Sequence, residues 1–161
     1  MKILKIIIPV LIAVILLLAS NACKRNVDQS PREIHFDRDI CVLCLMGLAD
    51  PKYSAQSINT RGDIVWFDDL GCLIFFMESP DWERFGGETA VSYIADSETG
   101  EWLKVEEAWY TYGKQTPMGY GYSAVKQKVD TAFDYPTTVK RIKEGVTMRE
   151  EFLKNKKMLH H

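Results

Sequence analysis

Four sulfur-bearing side chains in two short segments carry the chemistry of this sequence. Cys41, Cys44 and Met46 lie within six consecutive residues, and Met118 lies in a Pro-Met-Gly segment. Cu(I) prefers soft thiolate and thioether donors, whereas Zn(II) rarely takes a thioether. Cys44 and Met46 point to the same side of an extended backbone, and a turn can bring Cys41 to the same centre. The pattern therefore predicts a Cu(I) site whose ligands are Cys41, Cys44, Met46 and Met118.

The Cys-x-x-Cys pair also occurs in thiol-disulfide oxidoreductases. Such a pair usually begins a helix, which lowers the pKa of the thiol. Here Gly47, Asp50 and Pro51 follow the pair, and these residues disfavour a helix at that point. A redox enzyme that uses Cys41 and Cys44 therefore remains an alternative with less support.

A structural zinc module is the second alternative. In that case Cys72 or His35 would join the Cys-x-x-Cys pair to complete a zinc site. Cys72, however, follows a glycine in an apolar segment, and this setting favours a small buried hydrophobic residue over a ligand. The spacing of His35 does not favour zinc either.

The N-terminal segment resembles an export signal. Lys2 and Lys5 precede an apolar run over residues 6–18, which is shorter than the roughly 20 residues that span a bilayer. Cys23 follows small residues and is predicted as the site of lipid attachment, although ordinary cleavage after Ala22 is also compatible. We expect a lipoprotein signal peptide over residues 1–22, a lipidated N-terminus and flexible tether over 23–36, and one domain over 37–161. The protein would then be anchored by lipid to the cell membrane or outer membrane and face the periplasm.

The bulk composition indicates one globular domain. Of 161 residues, 47% are hydrophobic and 26% charged, and the formal net charge of −2 gives no electrostatic basis for binding nucleic acid. Once Cys23 is set aside, three cysteines remain in the domain, and an odd number does not form a closed disulfide framework. His160 and His161 end the chain and are predicted to form a disordered tail.

Hydrophobic periodicity predicts an α+β fold. The pattern consists of two β-hairpins, the first followed by a helix that begins at Asp68 or Asp69, and of further helices toward the C-terminus. A Thr147-x-x-Glu150 capping box predicts the start of the last helix. The predicted strands cover residues 53–58, 64–67, 89–95, 102–105 and 108–112, and the later helices cover 123–133 and 137–143.

The order of several motifs resembles the NosL family of lipoprotein copper chaperones, which is linked to maturation of nitrous oxide reductase. Cys44 and Met46 fall on the family's Cys-x-Met motif, Met118 on its Pro-Met-Gly turn, and Cys41 on the double-cysteine form of the motif. The resemblance extends from about residue 37 to residue 124, and it implies two ββα-type units packed as one small domain, with C-terminal helices. The other matching segments are Cys23, residues 55–58, residues 62–69 with Gly71 and Cys72, and residues 116–121.

The resemblance implies a protein without catalytic activity that binds Cu(I) and passes it to the assembly machinery of the reductase. The partner would be an ABC-type copper maturation system or the apo-reductase itself. One position departs from the family pattern, since Leu45 stands where the motif usually has glycine. If that position requires a positive φ, leucine would strain the loop.

Overall fold

A four-stranded antiparallel sheet forms the larger part of the fold in the computed structural model, which describes residues 27–159. Its strands are β1 (Ala55–Ile58), β2 (Ile64–Phe67), β3 (Val91–Ala95) and β4 (Trp102–Lys104). The two predicted hairpins pair with each other through β1 and β3, which gives the strand order β2-β1-β3-β4.

A second, two-stranded sheet follows, in which β5 (Trp109–Tyr112) pairs with β6 (Tyr122–Val125). The predicted helix over residues 123–133 is therefore wrong. Every residue of β6 is buried, because the strand pairs with β5 on one side and Ala124 bridges to Asp96 of the first sheet. The apolar spacing of Val125 and Val129 matches a helix, but it was overridden by this strand pairing. The loop between β5 and β6 contains Met118.

The helices cover the sheets and the C-terminal region. The first helix begins after Asp69, whose backbone is extended, and six of its eight residues are buried. The second helix has Pro80 in its first turn, where the missing N–H costs nothing. The amide of Glu150 donates to Thr147 Oγ1 over 3.2 Å, which confirms the predicted cap of the last helix. The helices are α1 (Leu70–Met77), α2 (Pro80–Phe85), α3 (Tyr135–Lys143) and α4 (Met148–Leu159).

The core lies between α1 and the two sheets. Leu70 and Leu73 of α1 pack with Phe67, Ile94 and Tyr110 of the strands, and all five are buried. Mixed helices and antiparallel sheets around one core confirm the α+β class. C-terminal helices are also present, as predicted.

Residues 27–36 include the end of the predicted tether, and they lie against the first sheet. The side-chain amide of Gln29 donates to the carbonyls of Ile58 and Thr89 over 2.8 and 3.0 Å. The backbone of Arg32 exchanges two hydrogen bonds with the Gln56 side chain. The predicted signal peptide, Cys23, His160 and His161 lie outside the described residues. Within residues 27–159, every helix is too short or too polar to cross a membrane.

Candidate metal centre

Three thiols meet at one point of the fold. The Sγ atoms of Cys41, Cys44 and Cys72 all lie within 4.8 Å of one another, and all three cysteines are free. Cys41 and Cys72 are buried, and Cys44 is half-buried. A metal–sulfur bond of about 2.3 Å places two ligands of one ion at most about 4.6 Å apart. A small side-chain adjustment therefore suffices for one soft ion to bind all three.

The segment that carries Cys41, Cys44 and Met46 is a closed loop. The amide of Cys41 donates to the Met46 carbonyl over 2.8 Å, and the amide of Leu45 donates back to the Cys41 carbonyl over 2.9 Å. A further bond from Val42 N–H to the Trp66 carbonyl, 2.9 Å long, ties the loop to β2. These bonds fix Cys41 and Cys44 on one side of the loop, next to the start of α1.

Leu45 holds the tight part of this loop in a left-handed conformation. Its φ is 61°, and among the non-glycine residues that the structure describes it alone has a positive φ. The Leu45 side chain is 72% exposed, so no burial offsets the strain. A β-carbon in this region costs about 1–2 kcal/mol. The strain expected from leucine at a glycine position is therefore present.

The surroundings of the Cys41 sulfur favour its thiolate form. The adjacent Cys72 thiol is the largest cause, and nearby backbone N–H groups add to it; together they hold the pKa of Cys41 well below its usual range despite burial. The amide of Cys44 donates to the Cys41 sulfur over 3.5 Å. The proximity of Cys41, together with burial, raises the pKa of Cys72. Binding of a metal ion by thiolates would displace the protons that the cluster carries.

Cys44 is the accessible member of the cluster. Burial, and secondarily the neighbouring Cys41, raise the pKa of its thiol. The same loop also carries four exposed apolar side chains, those of Ile40, Leu43, Leu45 and Met46. An incoming ligand can reach the cluster through Cys44, because Cys41 and Cys72 are buried.

Asp69 joins the Met118 turn to the start of α1. One of its carboxylate oxygens, Oδ2, accepts a 2.5 Å bond from the Thr116 hydroxyl and a 3.2 Å bond from the Met118 amide. Thr116 Oγ1 in turn accepts from the Gly121 amide over 3.1 Å. Burial raises the pKa of Asp69 to about 6, although these hydrogen bonds oppose the shift. The carboxylate thereby positions the Met118 turn beside the helix that carries Cys72.

Tyr120 lies over the first turn of α1, directly against Gly71. A β-carbon at Gly71 would lie 2.3 Å from Cγ of the Tyr120 ring, so only glycine allows this approach. Burial raises the pKa of Tyr120 to about 12, and the nearby Cys72 and Asp69 add to the shift. The aromatic ring therefore packs on the first turn of the helix that carries Cys72.

The structure brings together Cys41 and Cys44 of the predicted ligands and adds Cys72, which the sequence placed in the core. Cys72 is indeed buried, but its sulfur belongs to the cluster. Met118 is half-buried and packs against the core, while Met46 is exposed, and the assignment of both as ligands remains a prediction. His35 is exposed and is not part of the cluster. No local sequence pattern identifies Cys72 as a member of the cluster, because the Cys41 loop reaches α1 through the long-range hydrogen bond between Val42 and Trp66.

Comparison with known proteins gives a likeness of fold. No protein-family profile matches the chain. No curated protein matches it either. Among solved structures, the chain is similar to the copper chaperone NosL from Shewanella denitrificans, with a TM-score of 0.50 and 15% sequence identity over 71% of this chain and 89% of that one. At this identity the likeness shows that the two chains share a fold.

Proposed function

We propose that this protein is a copper chaperone that binds Cu(I) at the cluster of Cys41, Cys44 and Cys72. The observation that carries the proposal is the meeting of three free thiols, one of them accessible, within 4.8 Å. Met46 and Met118, in the adjoining loop and turn, supply thioethers as further ligands. The fold shared with a known copper chaperone supports this assignment.

The donor set favours Cu(I) over Zn(II). Structural zinc sites are almost always closed by four ligands. In residues 27–159, the only cluster of cysteine, histidine or acidic residues close enough to share an ion has three members. Cu(I) is satisfied by soft sulfur donors, including thioethers, which zinc rarely accepts.

The setting of the two loop cysteines argues against a thiol-disulfide oxidoreductase. A reactive redox cysteine is partly exposed and usually lies at the start of a helix, which lowers its pKa. Here Cys41 is fully buried, and the pair lies in a loop that is tied to β2 and is not followed by a helix. We therefore propose no enzymatic role.

The accessible thiol also suits transfer of the ion. A partner's soft donor can approach through Cys44 and displace the weaker thioethers first, so the ion can leave by stepwise ligand exchange. We propose that the recipient is a copper enzyme, most specifically nitrous oxide reductase, loaded through an ABC-type maturation system or directly as the apo-enzyme. A lipid on Cys23 would hold the chaperone at the cell membrane or outer membrane, facing the periplasm.

Competition for Cu(I) with a chromophoric chelator under anaerobic, reducing conditions tests the proposal. The wild-type protein should bind about one Cu(I), and a variant with Cys44→Ser and Met46→Leu should bind it at least roughly tenfold more weakly. Met77→Leu is the matched control, since Met77 packs against the core and its sulfur accepts from the Tyr135 hydroxyl. X-ray absorption of the loaded protein would count the sulfur neighbours of copper.

Three results would contradict this function. Unchanged affinity in the double variant would place the copper elsewhere. Stoichiometric zinc in the purified protein, with unfolding on chelation, would indicate a structural zinc module. Reduction of insulin disulfides by the metal-free protein would indicate an oxidoreductase that uses Cys41 and Cys44.

A further inference from the structure

Helix α4 projects from the domain beyond its first turn. The amide of Arg149 donates to the Gly119 carbonyl over 2.8 Å, and the Tyr112 hydroxyl donates to Glu151 over 2.6 Å. From residue 152 to residue 159, every side chain is exposed; Phe152 is 67% exposed and Leu159 is 85% exposed. We refer to residues 152–159 as the α4 end.

The α4 end combines two chemical features. Four of its eight residues are large and apolar, and three are lysines, with no acidic residue among them. The apolar residues are Phe152, Leu153, Met158 and Leu159, and the lysines are Lys154, Lys156 and Lys157. Basic helices with exposed apolar side chains bind the interface of anionic membranes, where each lysine near the surface strengthens binding about fivefold.

We propose that the α4 end docks on an anionic lipid bilayer. The lysines meet the lipid headgroups, since the charges are complementary. Phe152 and Leu159 lie seven residues apart, close to two full turns, and so on one side of the helix, from which they enter the apolar boundary. Lysine stems can also lie along the apolar layer while their ammonium groups stay at the headgroups.

A second copy of this chain is a poorer occupant of the same surface. Stable protein interfaces use about 20–30 residues on each side, and the α4 end supplies eight. A bilayer has no such minimum, because lipids rearrange around the side chains that enter. The positive charge and the small size of the α4 end therefore both favour a membrane over a second copy of the chain.

Docking in this way would place the Met118 turn near the membrane. Gly119, which accepts the hydrogen bond from Arg149, belongs to the turn that carries Met118 and Tyr120. A helix of 12 residues is about 18 Å long. The Met118 turn would then lie within roughly one helix length of the bilayer surface, independently of any lipid on the N-terminus.

Hydrogen exchange of residues 148–159 tests the proposal in the full chain reconstituted into vesicles. Exchange is followed by mass spectrometry in phosphatidylcholine vesicles with and without phosphatidylglycerol. Since the same chain is present in both, any contribution of residues 1–26 to membrane attachment is common to the two samples. The amides of the α4 end should exchange at least about tenfold more slowly in the anionic vesicles.

Variants separate charge from apolar contact. Replacing Lys154, Lys156 and Lys157 by Gln should abolish the protection, and Phe152→Ser with Leu159→Ser should reduce it. Replacing Lys52, Lys114 and Lys140, which are also exposed, by Gln is the matched control and should leave it intact. Circular dichroism confirms that each variant is folded.

Three outcomes would overturn the inference. Equal exchange rates with and without anionic lipid would show that the lysines of the α4 end do not bind the anionic headgroups. Protection without vesicles that increases with protein concentration would identify a second copy as the occupant. Loss of protection in the control variant would show a general charge effect. None of these outcomes bears on copper binding, so this inference and the proposed function fail separately.

Discussion

Cys72 determines whether the site has two thiol ligands or three. Its sulfur lies within 4.8 Å of the sulfurs of Cys41 and Cys44, close enough to share an ion with them. Cys72 is also fully buried, which means that it contributes to the core whether or not it binds metal. The two roles are separable, because alanine and serine at this position preserve different parts of the side chain.

We expect Cys72→Ala and Cys72→Ser each to weaken Cu(I) binding by at least roughly tenfold, comparably to Cys41→Ser, because each removes a thiolate ligand. The measurement is the same anaerobic competition with a chromophoric chelator. Thermal unfolding of the metal-free variants provides the control for packing. If Cys72→Ala kept full affinity and lost only stability, Cys72 would be a core residue alone.

Leu45 retains strain that its neighbours impose on it. Replacing Leu45 by Gly removes the β-carbon from a left-handed conformation, a gain of about 1–2 kcal/mol that the greater freedom of unfolded glycine partly cancels. We expect Leu45→Gly to be about 1 kcal/mol more stable than Leu45→Ala, which keeps the β-carbon. Urea unfolding of the two metal-free variants measures the difference, and equal stabilities would contradict a strained loop.

Two segments far apart in the chain meet at α1. The loop of residues 40–47 reaches the helix through β2, and the turn of residues 116–121 reaches it through Asp69. Asp69 therefore connects the Met118 turn to the start of α1. Because this carboxyl group is buried, the free energy of unfolding should depend measurably on pH.

The raised pKa of Asp69 predicts how that dependence runs. The Asp69 carboxyl group binds a proton below about pH 6 in the folded state, whereas in the unfolded chain its pKa has the ordinary value of 3.8. The contribution to stability is therefore full below about pH 4 and is lost as pH rises to about 6, a change of roughly 3 kcal/mol. We expect the free energy of unfolding of wild type to fall relative to that of Asp69→Asn across this range. Parallel pH profiles of the two proteins, measured by urea unfolding, would contradict the shift.

Much of the domain could be predicted from local sequence. Alternation and turn residues identified the strands from β1 to β5, and the capping box identified the start of α4. Strand β6 was not predicted, because its four residues are buried through pairing with β5, a contact that no local pattern encodes. Cys72 was not predicted as a ligand for a similar reason, since its cluster forms only when α1 meets the loop tied to Trp66. Pairing between distant segments, rather than local propensity, decided both.

The cluster links the loop that carries Cys41 and Cys44 to α1, so a bound ion would cross-link two parts of the fold. The metal-free domain should nevertheless remain folded, because the core around Phe67, Leu70 and Tyr110 extends well beyond the thiol cluster. A ligand that binds only the folded state stabilises it by about 4 kcal/mol at a free concentration of 1,000 times its Kd. We therefore expect Cu(I) loading to raise the Tm of an already cooperative transition by roughly 10 °C or more. Differential scanning calorimetry with and without Cu(I) measures this shift, which a chelator should reverse and Cys41→Ser should diminish. A metal-free protein without a cooperative transition would instead indicate a domain that requires its metal to fold.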